Sequence, residues 1–438
     1  MALRDIFRKK KKNCACVIGL DGVPCTLVKK FTEDGTWPFV ASLVEQGNLH
    51  RMKVTLPEIS AVSWPSFMTG TNPGTHGIFG FTELGDNYGM RFTNFTDLKA
   101  PTFWDKLGER GKKSVVINQP GTYPARESPG SLISGFVAIE QHKSVKPMKL
   151  LAVLRRNDYE IDIDTQRCRK DHNQLFTELK KTLKGRRAVT EHLWDQGEWD
   201  FFQVVITGTD RLQHYIFTAI EDPQHPRHEE TLAYYRSLDG FIKEMWERYN
   251  STVDVSAEGE GFFLLSDHGF CAIEQEVYIN AWLKQEGYLS FNNSPPGGME
   301  DISPDSRAFA LDPGRIYIHR KDKYPQGPVA PDEADKLAAE IKEKLLALCY
   351  HDSKVLEDVK TRDEAYSGPE TERGPDLVAL GNHGFDIKGS PQAEEVFQRT
   401  DLTGMHTWDD AFFWSLSKQK EDLNITDLAD IVTAPVKE

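Results

Sequence analysis

The sequence contains no apolar stretch long enough to cross a membrane. None of its segments approaches the ~20 consecutive apolar residues that a membrane-spanning helix needs. The segment MALRDIFRKKKKNCACVIGL contains a basic run and then only a short apolar stretch that ends at Asp21. A secretory signal requires a longer apolar region followed by small residues at a cleavage site. We therefore interpret this apolar stretch as the first strand of the core and expect no membrane span.

Cysteine is scarce as well. Six cysteines in 438 residues cannot form the dense disulfide framework of a small secreted domain. Cys14 and Cys16 are separated by a single residue, a spacing that matches neither a zinc ribbon nor a thiol redox motif. These observations predict reduced thiols and a cytoplasmic location. The six positions are Cys14, Cys16, Cys25, Cys168, Cys271 and Cys349.

Positive charge is in deficit. The formal net charge is −14, and nucleic acids require a basic face, so we expect no stable nucleic-acid partner. The basic run at residues 8–12 is the exception, and we interpret it as a solvated tail. A phosphate-binding loop of the G-x-x-x-x-G-K-[ST] type is also missing. An acidic protein can nevertheless bind a phosphate ester if divalent ions supply the positive charge. The expected partner is therefore a small-molecule phosphate ester or nucleotide substrate.

Side chains that bind metals or attack phosphorus occur in five short, widely separated pieces of the chain. Three of these pieces follow apolar runs that predict buried strands: CACVIGLDG, FFQVVITGTDRLQH and GFFLLSDHGF. Because the carboxyl ends of parallel strands meet at one edge of an α/β sheet, we expect these pieces to converge there. Each piece alone is equally typical of a turn or a helix N-cap, but five in this order favour a shared site. The residues are Asp21, Ser60, Asp210, His214, Asp267, His268 and His406.

The types and the spacing of these residues indicate a pair of divalent metal ions. Three aspartates, three histidines and one candidate nucleophile are the ligand set of a two-metal phosphate-transfer site. Asp210 and His214 share one face if a helical turn begins at Asp210. Asp267 and His268 can both face one site only where a strand ends, and Gly269 allows the turn. Oxygen and nitrogen donors without cysteine favour Zn²⁺ and also accept Mn²⁺.

In this order the pieces resemble the alkaline phosphatase superfamily, in particular its type I phosphodiesterase/nucleotide pyrophosphatase group and the predicted phosphohydrolase/phosphomutase branch. The resemblance runs from VIGLDG at 17–22 to GMHTWDD at 404–410. Its most specific stretch is LPEISAVSWPSFMTGTNPGTHGIFGF, followed by APTFWDKL and INQPGTYP. It implies an α/β fold: an alkaline-phosphatase-like three-layer α/β/α sandwich with a mostly parallel central sheet and inserted cap segments. It also implies two metal sites, one formed by Asp210, His214 and His406 and the other by Asp21, Ser60, Asp267 and His268.

The resemblance also favours Ser60 as the nucleophile. In the pyrophosphatases the nucleophilic threonine ends the pattern Pro-Thr-Lys-Thr and precedes a Thr-Gly pair by nine positions. Ser60 ends Pro-Glu-Ile-Ser and lies nine positions before Thr69. Ser63, the alternative nucleophile, falls where that family has a phosphate-contacting asparagine, so we expect it to bind substrate. Ser66 is expected to cap or hydrogen-bond within the helix. Sulfatases of the superfamily have an arginine four positions after the nucleophile, where this chain has Trp64, so sulfatase chemistry is disfavoured.

The candidate ligands divide the chain into a core and two insertions. Residues 121–197 contain none of these ligands and begin with Pro-, Gly- and Ser-rich turns, so we interpret the segment as a cap that carries substrate specificity. A second insertion is predicted to include the polar loop NNSPPGGMEDISPDS. The predicted divisions are 13–120, 198–289 and 375–438 for the catalytic core, 121–197 for the cap and 290–374 for the second insertion.

These residues predict a two-metal phosphohydrolase that cleaves phosphodiester or nucleotide pyrophosphate bonds through a covalent intermediate on Ser60. A phosphomutase or a phosphomonoesterase would use the same phosphoserine and is the alternative. A non-catalytic protein that binds a phosphate ligand is a more remote alternative, because every expected ligand is present. Monoester-specific members of the superfamily add an arginine and a third metal site. No matching motif occurs here, so diesters are favoured, with their second ester group against the cap.

Overall fold

The computed structural model describes residues 13–254 and 258–437. The basic run at residues 8–12 lies outside the described residues, so its interpretation as a solvated tail stays a prediction. Within the described part, strands and helices alternate along much of the chain.

The strands are, in chain order, β1 (Ala15–Leu20), β2 (Asn48–Met52), β3 (Thr82–Leu84), β4 (Met90–Phe92), β5 (Ser114–Gln119), β6 (Gly130–Ser134), β7 (Val145–Lys146), β8 (Phe201–Ile206), β9 (Phe262–Leu265), β10 (Gly269–Ala272), β11 (Gln275–Tyr278), β12 (Ala308–Leu311), β13 (Arg315–Ile318), β14 (Cys349–Tyr350), β15 (Ser353–Lys354), β16 (Leu356–Thr361), β17 (Leu377–Gly381), β18 (Phe385–Lys388), β19 (Phe397–Gln398), β20 (Gly404–Thr407) and β21 (Ala411–Ser415). Strands β1 and β8 are apolar runs that are buried at every position. Such runs are typical of parallel strands covered on both faces.

The α-helices are α1 (Cys25–Glu33), α2 (Pro38–Gln46), α3 (Ser60–Thr69), α4 (Pro73–His76), α5 (Phe103–Glu109), α6 (Leu150–Arg156), α7 (Thr165–Lys170), α8 (His172–Gln196), α9 (Gly208–Ile216), α10 (Thr218–Glu221), α11 (His228–Thr252), α12 (Ile279–Gln285), α13 (Pro331–Leu346), α14 (Arg362–Ala365) and α15 (Leu428–Lys437).

The central sheet has eight strands in the order β2-β21-β9-β1-β8-β5-β6-β7. Strand β1 pairs in parallel with β8 and β9, and β5 pairs in parallel with β8 and β6. Antiparallel pairing occurs only towards the two edges, at β21, β2 and β7. The prediction of a mostly parallel central sheet is therefore confirmed.

Helices cover both faces of this sheet. Alternate residues of β1 belong to different apolar clusters: Cys16 and Ile18 pack with side chains of α1, α2, α8 and α11, whereas Ala15 and Val17 pack with side chains of α3, α5 and α15. Successive side chains of a strand point to opposite faces. The two clusters therefore lie on the two sides of the sheet, and the molecule has the three-layer α/β/α arrangement that the sequence predicted.

The segment predicted as a cap, residues 121–197, contributes to the central sheet. Its strands β6 and β7 extend the sheet beyond β5, and α8 packs its buried face in the same apolar cluster as β1. The boundary predicted at residue 121 therefore does not coincide with the end of the sheet. The run GSLIS is short and lies among turn residues, so no sheet strand was predicted there.

A second, smaller sheet has the order β12-β13-β17-β16 and packs in its own apolar cluster with α12 and α13. This sheet contains β17, although the sequence prediction ended the second insertion at residue 374. Strand β17 pairs with β13 and β16 rather than with the central strands. The apolar run PDLVAL thus contributes a strand to the second sheet and not to the central sheet.

Candidate active site

The carboxyl ends of three neighbouring central strands carry five of the seven candidate residues. Asp21 directly follows β1, Asp210 and His214 lie on α9 after β8, and Asp267 and His268 lie after β9. Because β1 is paired with both β8 and β9, these strand ends lie side by side. The first turn of α9 begins at Gly208, so Asp210 and His214 do share a helix face at i and i+4.

Ser60 and His406 reach the same edge from other elements. Ser60 is the first residue of α3, and its side-chain oxygen hydrogen-bonds to Asp21 and His268. His406 lies on strand β20, where it pairs with Phe270 of β10. That pairing brings its ring onto the ring of His268, with centroids 3.7 Å apart. All seven predicted residues are therefore at one site.

Asp210, His214 and His406 form one cluster. The Nε2 atom of His406 lies 3.1 Å from Asp210 Oδ2 and 2.9 Å from His214 Nε2. The Nε2 atom of His214 lies 3.3 Å from the same Asp210 oxygen. One carboxylate oxygen and two imidazole nitrogens thus face a common point, which is a ligand set for Zn²⁺ or a similar divalent ion.

Asp21, Ser60, Asp267 and His268 form a second cluster. Ser60 Oγ lies 3.2 Å from Asp21 Oδ1 and 3.1 Å from His268 Nε2. The same His268 nitrogen lies 3.6 Å from Asp21 Oδ1 and 3.4 Å from Asp267 Oδ2. Ligand atoms of His268 are within 4.8 Å of donors in both clusters, so this residue lies between them. Its Nε2 atom lies close to Ser60 Oγ of the second cluster.

In each of the three histidines, the Nδ1 atom is hydrogen-bonded to a backbone carbonyl oxygen. His214 Nδ1 lies 3.0 Å from the oxygen of Gly404, His268 Nδ1 lies 3.0 Å from that of Gly269, and His406 Nδ1 lies 3.0 Å from that of Glu58. A carbonyl oxygen only accepts hydrogen bonds, so Nδ1 carries the proton in each ring. The Nε2 lone pairs therefore face the two clusters, which is the arrangement that metal-binding histidines require.

The shifted pKa values of the buried carboxylates indicate that the site favours bound cations. Burial raises the pKa of Asp21 well above its usual value, and the charges of Asp267 and Asp210 raise it further. Burial likewise raises the pKa of Asp267. Burial also acts to raise the pKa of Asp210, but His214 and His406 outweigh it and hold that pKa well below its usual value. Burial lowers the pKa of His268 to about 4, so its ring is neutral at pH 7.

One carboxylate oxygen of Asp267 also indicates a bound cation. Asp267 Oδ1 accepts a hydrogen bond from the backbone N of Gly22 at 3.1 Å, and Gly22 has a φ of +71°, a conformation that favours glycine. The other oxygen of Asp267 is buried and accepts no hydrogen bond from residues 13–254 or 258–437. Buried polar atoms normally have a partner, so a bound cation fits this position.

The three serines of α3 have different surroundings. Ser60 Oγ contacts the second cluster, as described above. Ser63 Oγ is buried one turn along the helix and has no hydrogen-bond partner among the described residues. Ser66 Oγ is bonded to the carbonyl of Val62, to Thr55 and to His76. Ser66 is thus satisfied within the fold, as the sequence predicted, whereas Ser63 has free hydrogen-bonding capacity.

Several residues that support the site were not identified from the sequence. Trp64 Nε1 donates to Asp21 Oδ2 at 3.0 Å, and Thr209 Oγ1 donates to the backbone oxygen of Asp21. Arg211 Nη1 donates to Asp210 Oδ1 at 2.9 Å. Its place inside the motif DRLQH was a usable signal, because a neighbour of two candidate ligands is close to the site. The guanidinium of Arg211 donates to two carboxylates, those of Asp162 and Asp210.

The fold and the paired Asp/His clusters define a three-layer α/β/α protein with a candidate site for divalent metal ions. A family model described as type I phosphodiesterase/nucleotide pyrophosphatase matches residues 15–409. The chain therefore belongs to the type I phosphodiesterase/nucleotide pyrophosphatase family. It is an enzyme of the hydrolase class. A search of curated proteins with this sequence finds no match.

Solved structures share this fold at low sequence identity. Phosphonoacetate hydrolase from Sinorhizobium meliloti 1021 in complex with phosphonoformate is 15% identical, with a TM-score of 0.65 over 98% of this chain and 96% of that one. The same enzyme with phosphonoacetate is 16% identical, with a TM-score of 0.63 over 98% and 96%. Murine ectonucleotide pyrophosphatase/phosphodiesterase 5 is 13% identical, with a TM-score of 0.56 over 97% and 95%. These likenesses establish the fold.

No helix in the described part of the chain combines the length and the apolar character needed to span a membrane. All six cysteines are described, and none is in a disulfide.

Proposed function

We propose that this enzyme hydrolyses phosphodiester or nucleotide pyrophosphate bonds through a covalent phosphoserine intermediate on Ser60. One observation carries the proposal: Ser60 Oγ lies within 3.2 Å of Asp21 and His268, and the His268 ring stacks on His406 of the neighbouring cluster. A single hydroxyl is thus held next to two separate sets of metal-binding atoms. Family membership supports the same chemistry.

Two divalent ions complete the proposed site. Asp210, His214 and His406 would hold one ion, and Asp21, Ser60, Asp267 and His268 would hold the other. Zn²⁺ is the favoured ion and Mn²⁺ also fits, because the donors are oxygen and nitrogen. When bound, such ions lower the pKa of a coordinated hydroxyl and stabilise negative charge on phosphate oxygens.

The residues of the chain divide the reaction between them. The Ser60 hydroxyl releases its proton to solvent, its oxygen forms a bond to phosphorus, and the bond from phosphorus to the leaving oxygen breaks. The leaving group takes up a proton from solvent and departs. Water then cleaves the ester between phosphorus and Ser60 and restores the hydroxyl. Ser63, whose hydroxyl is buried and unpartnered among the described residues, is proposed to donate to the phosphate.

Space for a second ester group supports a diester substrate. A cavity of about 640 Å³ is lined by Phe136, Ile139, Ile161 and Asp162 of the predicted cap and by Arg211 beside Asp210. A second cavity of about 250 Å³ reaches His214, and Thr165 lines both. A volume of this size is in the range of small-ligand sites. Arg211 is already paired with Asp162 and Asp210, so it does not supply a free cation for the extra charge of a monoester.

We expect a higher kcat/KM for an aryl phosphodiester than for the matched aryl phosphomonoester. The measurement uses bis(p-nitrophenyl) phosphate and p-nitrophenyl phosphate with zinc- or manganese-loaded enzyme. Ile139→Glu places a charge in the cavity at a side chain that is 80% exposed, so it should raise KM for the diester without unfolding the protein. Met148→Glu changes an exposed apolar side chain of the same segment that does not line the cavity, and it should leave KM unchanged.

Faster turnover of the monoester would contradict the diester proposal. Phosphate transfer between hydroxyls of one sugar phosphate, with little free phosphate released, would favour the phosphomutase alternative instead. Dinucleotides and phosphonoacetate complete the substrate panel, the latter because structurally similar enzymes bind it. A cytoplasmic location is also proposed, since no disulfide joins any of the six cysteines.

A further inference from the structure

Arg211 joins the candidate metal centre to a residue of the predicted cap. Its Nη1 atom donates to Asp210 Oδ1 at 2.9 Å, and its Nε and Nη2 atoms donate to Asp162 Oδ2 at 3.0 and 2.6 Å. The guanidinium lies 4.5 Å from the ring centroid of Phe136. The side chains of Arg211 and Asp162 are each 16% exposed and that of Asp210 is 2% exposed. The bridge is therefore largely shielded from solvent. Ion pairs that are shielded from solvent are screened less than exposed ones.

The two oxygens of Asp210 have different partners. Oδ1 accepts a hydrogen bond from Arg211, whereas Oδ2 lies 3.3 Å from His214 Nε2 and 3.1 Å from His406 Nε2. The carboxylate cannot rotate to exchange these oxygens without breaking the contact with Arg211. Arg211 therefore keeps Oδ2, and not Oδ1, towards the two imidazole nitrogens.

Asp162 is fixed by its own surroundings. Arg186 of α8 is 2% exposed and donates to the backbone oxygens of Glu160 and Ile161 at 3.3 and 3.0 Å. The backbone N of Ile163 donates to Asp162 Oδ1 at 2.9 Å. A buried arginine thus holds the backbone on one side of Asp162, and Asp162 Oδ2 remains available for Arg211.

The charges explain why the pair is useful. Alone, Arg211 would place a full positive charge in contact with a ligand of a divalent cation, and like charges at this distance repel each other. Asp162 neutralises that charge and leaves the hydrogen bond to Asp210 in place. The bridge thus orients the ligand without opposing the cation.

We propose that Arg211 and Asp162 are positioning residues that set the metal affinity of the cluster formed by Asp210, His214 and His406. Arg211 reserves Oδ2 of Asp210 for the metal, and Asp162 cancels the charge of Arg211. The inference rests on the proposed metal-dependent function, because it concerns the ion that this cluster would hold.

The test measures the affinity for Zn²⁺ without substrate, by calorimetry or by competition with a chelating dye. Asp162→Asn leaves the charge of Arg211 uncompensated and is expected to weaken binding of one of the two ions about 10-fold, the usual scale for such supporting residues. The double variant Asp162→Asn/Arg211→Gln removes both charges but also the hydrogen bond to Asp210, and it is expected to regain part of the lost affinity. A merely structural role of the bridge predicts that the double variant is no better than Asp162→Asn.

A control and a second readout complete the test. Glu160→Gln breaks the exposed ion pair of Glu160 with Lys181, 3.1 Å long, in the same segment and should leave both affinities unchanged. In Co²⁺-loaded protein, Arg211→Gln frees Oδ1 of Asp210 and should alter the visible absorption of the bound ion. This readout still decides the question if Asp162→Asn does not fold. Wild-type affinity in Asp162→Asn, or an unchanged Co²⁺ spectrum in Arg211→Gln, would overturn the inference. If the wild-type protein binds no divalent ion, the proposed function itself fails.

Discussion

Ser60→Ala is expected to lower kcat by about 10⁴-fold while both metal ions stay bound. The substitution removes the oxygen that forms the covalent intermediate, and only water could replace it as the nucleophile. The metal-binding carboxylates and imidazoles are unchanged, and Ser60 is the first residue of α3, where alanine is accepted by the helix. Steady-state kinetics on bis(p-nitrophenyl) phosphate and metal analysis of the same sample measure the two halves of this prediction.

Two further variants of α3 serve as controls. Ser63→Ala should lower kcat/KM only about 10- to 100-fold, because it removes one hydrogen bond to a charged phosphate oxygen. Ser66→Ala should affect stability rather than turnover, since Ser66 is bonded to Val62, Thr55 and His76. An inactive Ser63 variant together with an active Ser60 variant would show that Ser63, and not Ser60, is the nucleophile.

Removal of divalent ions is expected to abolish activity and to lower the free energy of unfolding. Without ions, Asp21 and Asp267 are buried carboxylates with raised pKa values, held next to a third carboxylate. A ligand that binds only the folded state stabilises it by about 4 kcal/mol at a thousandfold excess over its Kd. Calorimetry before and after treatment with a chelator measures the loss.

Since Asp21 and Asp267 hold protons more tightly in the metal-free protein, metal binding should release protons, and the affinity for the metal should rise with pH.

Single substitutions should separate the two ions. Asp267→Asn is expected to lower occupancy of the ion held by the cluster that contains Ser60, and His406→Ala that of the other ion. Metal analysis of each variant is expected to find about one ion retained per chain. Loss of both ions in either variant would show strong coupling between the clusters. Full activity in protein that contains no divalent ion would refute the metal-dependent mechanism.

Local sequence patterns were sufficient to predict the centre of the fold. The runs ACVIGL, FFQVVI and FFLL are too continuously apolar for a half-exposed strand, and each is followed within a few residues by Asp21, Asp210 or Asp267. Adjacent parallel strands then bring these residues together with no further information. Ser60 and His406 required the resemblance to a family, because spacing alone does not relate α3 and β20 to that edge.

Long-range pairing explains what the sequence could not predict. Asp162 and Arg211 are 49 positions apart, and nothing near Asp162 distinguishes it from other acidic loop residues. Strand β17 lies within the predicted core division 375–438, but its partners are β13 and β16. His406 lies on a strand because β10 pairs with β20, a contact between segments more than 100 residues apart. Propensity identifies an element, whereas its neighbours are decided by the packing of the whole chain.

The carbonyl partners of His214, His268 and His406 have an evolutionary consequence. Each imidazole is oriented by a main-chain oxygen, of Gly404, Gly269 and Glu58 respectively. A main-chain oxygen is present whatever side chain the codon specifies, so no point mutation at those three positions deletes it. Selection therefore acts on the imidazoles and on the path of the backbone. Relatives with this fold can diverge to very low identity and still keep the orientation of their metal-binding rings.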